Sequence, residues 1–330
     1  MKKRNLTLMT AGLLAALAAG SMSVQAADAI RVGDILSLGT ASAFVAEDLG
    51  YFEEAGIDVE VTRFDDGPSL MEAFAAGELD IAMVGIAPAT TWATKGVDLK
   101  IVAATNGGGH VILTRSDTGI ETVEDLNGKL VAEPNIGSVT DAILRGKILA
   151  DAGLTPDMDV ILIPGMKPAD MATTMMVSKE TDAIITWEPY AAQAIAQYGD
   201  EISIVYDCAS EIATEDGSIY PCNVVIATGD FIENHAEELD SFLEVHQKAT
   251  DYINEDEGAD EELGTLLQLE AEVIAEAKTR LEFTTSVNEE AVMEQLQYSV
   301  DLGYMTALPD KETLFDLAES GEAVTEQATE

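Results

Sequence analysis

The feature that most constrains this chain is a regular alternation between short β-branched runs and longer stretches of helical periodicity. From Ile30 to Ile35, Ile57 to Phe64, Ile81 to Val84 and Leu99 to Ala104 the sequence reads as strand, with helical segments over 40–49, 69–76 and 88–94 between them. Strands that alternate with helices pair in parallel under a helical cover, so the expected class is α/β. The pattern halts at Gly107-Gly108-Gly109, which reads as a flexible joint, and then resumes. Strands are expected at 111–114, 130–132, 160–163, 183–186 and 202–205, with helices over 138–152, 168–178 and 189–198. A strand at 224–227 returns the chain toward the first unit, and helices over 231–254, 264–276, 288–302 and 311–318 are expected to wrap it. The implied division is a signal segment at 1–26, a first lobe from 27–108 and 225–318, a second lobe at 109–224, and a flexible tail at 319–330.

Lys2, Lys3 and Arg4 precede an apolar run from Leu6 to Ala19, and Val24-Gln25-Ala26 offers small residues at a cleavage site, the layout of a secretory signal peptide. Export to a periplasm is the expected localisation. Of 17 basic and 61 acidic residues in the chain, 14 basic and all the acidic ones would remain after cleavage. That imbalance excludes nucleic acid as a partner. With 47% hydrophobic residues it describes a packed protein with an acidic coat, as expected of a halophilic source, rather than a disordered chain.

Cys208 and Cys222 are the two cysteines, and in an oxidising compartment a disulfide between them is expected; two buried free thiols are the alternative. His110, His235 and His246 are scattered, so neither a metal site nor a cofactor is expected. Absence of G-x-S-x-G, Walker and dinucleotide motifs argues against an enzyme.

Four segments then carry a resemblance. Gly50-Tyr51-Phe52-Glu53-Glu54-Ala55-Gly56-Ile57-Asp58-Val59, Gly77-Glu78-Leu79-Asp80-Ile81-Ala82, Val123-Glu124-Asp125-Leu126-Asn127-Gly128-Lys129 and Trp187-Glu188-Pro189-Tyr190 occur in the order seen in nitrate-, sulfonate- and taurine-type substrate-binding proteins of ABC transporters. The chain resembles that family, whose relatives include binders of thiamine pyrimidine precursors. The resemblance implies a type II periplasmic-binding-protein fold: two α/β lobes, each a mainly parallel sheet flanked by helices, joined by two hinge crossings. It also implies a monomer that captures a small solute and passes it to a membrane permease; a biosynthetic enzyme on the same fold is the alternative of another class.

In such a fold ligands sit beyond the carboxyl ends of the strands. The candidate contacts are therefore Ser37, Leu38, Gly39 and Thr40 after the first strand, Gly85 after the third, Gly137, Ser138 and Thr140 at a helix start, and Trp187 and Glu188 in the second lobe. Each has a plainer reading. Ser37 to Thr40 and Ser138 can simply cap helices, Trp187 can wedge between lobes, and Glu188 can be the first carboxylate of the next helix. His110 beside the glycines is read as structural.

Overall fold

The structure, a computed structural model, describes residues 29–212 and 214–317; the signal-peptide and tail expectations lie outside them. Among the described residues eleven strands form two sheets. The first contains β1 (Ile30–Ile35), β2 (Val59–Phe64), β3 (Ile81–Gly85), β4 (Leu99–Gly108), β10 (Pro221–Thr228) and β11 (Leu281–Phe283), in the order β11-β4-β10-β3-β1-β2. The second contains β5 (His110–Arg115), β6 (Leu130–Ala132), β7 (Ile161–Ile163), β8 (Ala183–Trp187) and β9 (Ile202–Asp207), in the order β7-β6-β8-β5-β9. This is the two-lobed α/β architecture expected.

Both sheets are mixed. β1 pairs in parallel with β2 and β3, and β6 with β7 and β8, but every pairing of β4, β5 or β10 with another strand is antiparallel. The reason is connectivity: β5 continues β4 across one residue, Gly109, and β10 returns from the second sheet to lie between β3 and β4, so both run against the strands that helical crossovers connect.

Gly107 and Gly108 are no loose joint. They lie inside β4, paired with β10 and β11. A Cβ on Gly108 would sit 2.6 Å from the Arg280 carbonyl oxygen and 2.5 Å from Ile219, and its φ of 75° belongs to the left-handed region. Glycine is needed there for close packing at the crossing, not for mobility.

Local signals explain many element ends. Gly50 and Gly56, at φ 70° and 75°, bound the short helix Tyr51–Ala55 and turn the chain into β2. Asp80 fixes the turn into β3 by accepting from the Arg31 amide at 2.9 Å while pairing with its guanidinium. Phe52 stacks on Phe242 with ring centroids 5.8 Å apart, clamping that helix to the long helix Ala236–Glu255.

The C-terminal helices do more than wrap the first lobe. Helix Glu289–Asp301 packs on Ile86–Thr94 of the first lobe and on Val139–Ile143 of the second, and Ala271–Lys278 packs against Tyr190–Tyr198. Val292 and Leu296 join an apolar cluster that runs from Leu70 and Ala82 to Ile112 and Ile143 without a break between lobes. Their helical periodicity marks an apolar face, and two lobes supply its partner.

The expected disulfide is not formed. Cys208 and Cys222 are free and buried, packed into that same cluster. Burial pushes both thiols up, Cys222 to about 12, so they sit there as small apolar side chains.

Asp34, on β1, is fully buried, and neither carboxyl oxygen has a hydrogen-bond partner. The nearby Thr40 hydroxyl has a single proton, and the Ile35 carbonyl at 3.0 Å and the Ser37 carbonyl at 3.2 Å compete for it. Desolvation raises the Asp34 carboxyl to about 8, so the native state keeps its proton where the unfolded chain has lost it. Its contribution to stability is therefore full below about pH 4 and is lost as pH rises through about 8. Asp34→Asn is expected to stabilise the protein by at least about 1 kcal/mol at pH 8 and to change little at pH 4. Denaturant titrations at both pH values test this; equal shifts would show that Asp34 is not held protonated.

Candidate functional site

The lobes meet where loops beyond the strand ends face one another. A cavity of about 30 Å³ lies there, lined by Ile35, Ser37, Asp66, Gly67, Gly85 and Pro88 from the first lobe, by His110, Ser138, Val139, Thr140 and Trp187 from the second, and by Asn223 on β10. The position is the one this fold reserves for ligands.

Its second-lobe wall is the start of helix Val139–Ile143. Ser138 caps it, accepting from the Asp141 amide at 3.1 Å, and the amides of Val139 and Thr140 are the first of the helix, with no carbonyl one turn back to receive them. Because the Ser138 oxygen already accepts, its proton is left to donate. Ser37 is arranged alike, accepting from the Gly39 amide at 3.1 Å. Gly85 keeps the walls close: a Cβ there would come within 2.6 Å of a Val139 methyl.

Of the expected contacts, Ser37, Gly85, Ser138, Thr140 and Trp187 are brought together around the cavity. Leu38, Gly39, Thr40, Gly137 and Glu188 are not. The loop after β1 spends its amides elsewhere: Leu38 donates to the Glu188 carbonyl at 3.0 Å, Gly39 to Ser37, and Thr40 to the Ser37 carbonyl at 3.3 Å. Gly39 instead makes room for Asn106, whose amide oxygen lies 2.4 Å from where a Cβ would be. The Gly137 amide donates to Asp141 at 2.8 Å. Glu188 takes its plainer reading. Its carboxyl accepts from the Ala192 amide at 3.0 Å, in the first turn of the following helix, and pairs with Arg280 at 3.0 Å. Trp187 does two things, lining the cavity while its indole N–H donates across the cleft to the Leu36 carbonyl at 3.2 Å.

Further links across the cleft run from Lys167 to Asp65 at 2.6 Å and from Asn135 to Asp66. Together with the Leu38–Glu188 and Trp187–Leu36 bonds they hold the two lobes in contact over the cavity.

Sequence reasoning missed Asp66, Pro88 and Asn223 and set His110 aside. Asp66 caps helix Gly67–Ala75 through Ser69 at 2.9 Å, and the motif Asp66-Gly67-Pro68 is a legible helix start after a strand. Asn223 and His110 reach the cavity only because β10 and β5 are the crossing strands, a tertiary fact. Burial pushes the His110 imidazole down to about 3, so it is neutral. No Lys or Arg lines the cavity.

Behind the Ser138 helix start lies a buried ion network. Arg145 binds Asp141 at 2.6 Å, Asp157 at 2.6 Å and Glu133. Three carboxylates share one guanidinium, and burial with the neighbouring Asp141 raises Glu133 despite Arg145. Among the described residues no group of three or more His, Cys, Asp or Glu is placed to hold a metal, and no helix is long and apolar enough to cross a membrane.

Two α/β lobes that meet over a cavity beyond their strand ends, with helix starts from both lobes in its walls, define a solute-binding protein of the periplasmic type. Residues 25–268 match the NMT1-like family, and the chain belongs to it. A binding protein of Bacillus subtilis (strain 168) is 28% identical over 290 residues, covering 86% of this chain and 82% of its own. The taurine-binding periplasmic protein of Escherichia coli (strain K12) is 27% identical over 70% of this chain and 68% of its own. Among solved structures, the periplasmic aliphatic sulphonate-binding protein of Escherichia coli superposes with a TM-score of 0.71 at 22% identity, over 87% of this chain and 97% of that one. The alkanesulfonate-binding protein of Xanthomonas axonopodis pv. citri bound to MOPS gives 0.72 at 20%, over 88% and 98%.

Proposed function

We propose that the protein is the extracytoplasmic solute-binding component of an ABC-type importer, holding a sulfonate-, taurine- or nitrate-type solute in the cleft and delivering it to a membrane permease. The observation that carries this is the cavity itself, where Ser37 of one lobe faces the Ser138–Thr140 helix start of the other. Hydroxyl protons and unpaired amides converge there, and a helix start can hold an oxyanion without a cation. The names of the taurine and sulfonate relatives agree with that chemistry. The role is capture without reaction: ligand binding favours the arrangement in which both walls are in contact, by as much as the ligand prefers it.

A nitrogenous heterocycle is the second reading. It is favoured by the cation-free lining, the Asp66 carboxylate on the cavity wall and the Trp187 ring.

A thermal-shift screen of the mature protein in high salt, against taurine, alkanesulfonates, nitrate and pyrimidines, tests both. A ligand at a hundredfold its Kd stabilises the folded state by about 2.7 kcal/mol. The shift is expected with the oxyanion class and is expected to disappear in the double variant Ser138→Ala, Thr140→Val. A shift only with pyrimidines, lost in Trp187→Ala, would replace the first reading with the second.

A further inference from the structure

Two buried relays set the polarity of the cavity at the crossing strands. Asn106, 2% exposed, directs its Nδ2 at the carbonyls of Gly107 (3.2 Å) and Gly108 (3.4 Å), which can only accept. Its Oδ1 therefore faces the other way, receiving the Thr105 hydroxyl at 3.2 Å and the Asn223 Nδ2 at 2.8 Å. With Nδ2 drawn to Asn106, the Asn223 side chain, 4% exposed, is left to offer its Oδ1 to the cavity it lines.

The second relay begins at Tyr220. Its oxygen accepts the His110 backbone amide at 3.2 Å and lies 2.8 Å from His110 Nδ1. The phenol proton has Nδ1 as its acceptor, because any other direction would leave a buried O–H unpaired. Nδ1 is then unprotonated and Nε2 carries the hydrogen. His110 is 3% exposed and its other edge borders the cavity.

We propose that His110 and Asn223 form a fixed donor–acceptor pair, locked by Tyr220 and Asn106, which selects solutes carrying an N–H donor beside an oxygen or ring-nitrogen acceptor. Resting on the solute-binding reading, this narrows it. Apart from Asp66, whose two oxygens already receive the Ser69 amide and the Asn135 side chain, the polar side chains on the cavity can donate, so the Asn223 oxygen is the feature a purely acceptor-bearing solute leaves unpaired and an amino-bearing one satisfies. Unpaired buried groups discriminate more strongly than paired ones attract. Tyr220 and Asn106 are positioning residues, and Gly39 is glycine so that the Asn106 amide can lie against it.

The test uses matched pairs measured by calorimetry on the mature protein: taurine against propanesulfonate for the oxyanion class, and 4-aminopyrimidine against 4-methylpyrimidine for the heterocycles. Within the class that binds, the amino member is expected to bind at least about tenfold more tightly. Asn106→Ala, which frees the Asn223 amide to turn over, is expected to bring that ratio to within about twofold while binding persists. In nitrogen NMR of the ligand-free protein, His110 should show an unprotonated Nδ1, becoming a mixture of tautomers in Tyr220→Phe. Equal affinities within the pair, a ratio untouched by Asn106→Ala, or a protonated Nδ1 in the wild type would each overturn the proposal alone. Absence of binding by both classes would remove the solute-site reading and this proposal with it.

Discussion

Arg280→Ala is expected to cost about 3–5 kcal/mol of stability, and to cost more at pH 8 than at pH 5. The Arg280 side chain is 7% exposed and lies beside three carboxylates, Glu276 at 2.6 Å, Glu188 at 3.0 Å and Asp207 at 3.3 Å. Glu188 and Asp207 belong to the second lobe, whereas Arg280 directly precedes β11 of the first sheet. The residue is thus a buried tie between lobes, next to the crossing at Gly108. Removing it leaves the Glu188 carboxylate with the Ala192 amide as its remaining donor.

Burial already raises Glu188 to about 7, with the Ala192 amide and Arg280 opposing. Its native pKa lies above the unfolded value, so its contribution is full at low pH and declines as pH rises through about 7. Without Arg280 the native pKa climbs further. A proton can stand in for the guanidinium at pH 5 but not at pH 8, which sets the sign of the pH dependence. Adding Glu188→Gln to Arg280→Ala should recover part of the loss at pH 8, because no buried charge is then left alone. Denaturant unfolding of wild type, single and double variants at both pH values checks this. A loss below about 1 kcal/mol in the single variant, equal at both pH values, would mean that the cluster behaves as a surface pair.

The second large effect is expected from Arg145→Met, again about 3–5 kcal/mol. Here the stranded groups are Glu133 and Asp141, whose side chains are fully buried. Methionine fills much of the stem volume, so the loss reports charge rather than a cavity. The network also bears on the site: Asp141 receives the Gly137 amide at 2.8 Å, and its own amide is capped by Ser138. Releasing Asp141 from Arg145 should loosen the loop that aims the Ser138 hydroxyl and the Val139 and Thr140 amides. Affinity for whichever solute binds is therefore expected to fall at least about tenfold, beyond what reduced folding accounts for at a temperature where the variant is native. Glu133→Gln in the same background should return stability more than affinity, since it removes one stranded charge without restoring the hold on Asp141. Full affinity in Arg145→Met would show that the Ser138 cap alone sets the loop.

Both networks escaped the sequence. Arg280 lies 92 residues from Glu188 and 73 from Asp207, and nothing in either neighbourhood announces the other. Only the Asp141–Arg145 and Glu276–Arg280 spacings, four residues each, were open to sequence reading, and neither revealed Glu133 or Glu188. Ser138 and Trp187, in contrast, which line the cavity, were open to sequence reading because the resemblance and the strand-end rule pointed to the same loops.

What the sequence determined by itself was whatever depends on near neighbours: the strand and helix periods, the left-handed glycines at 50 and 56, the Asp66 and Ser138 caps, and the lobed α/β class that the alternation implies. These rest on interactions within one turn or one strand, so the residues that cause them are adjacent in the chain. The tertiary structure decided the rest. It made the sheets mixed, turned Gly107 and Gly108 from a joint into ladder residues, kept Cys208 and Cys222 as buried thiols, and assigned Glu188 to Arg280 rather than to the cavity. It also brought His110 and Asn223, 113 positions apart, to one wall. Each depends on which long-range partner the fold brings within bonding distance, and a buried polar group takes its role from that partner rather than from its own place in the chain.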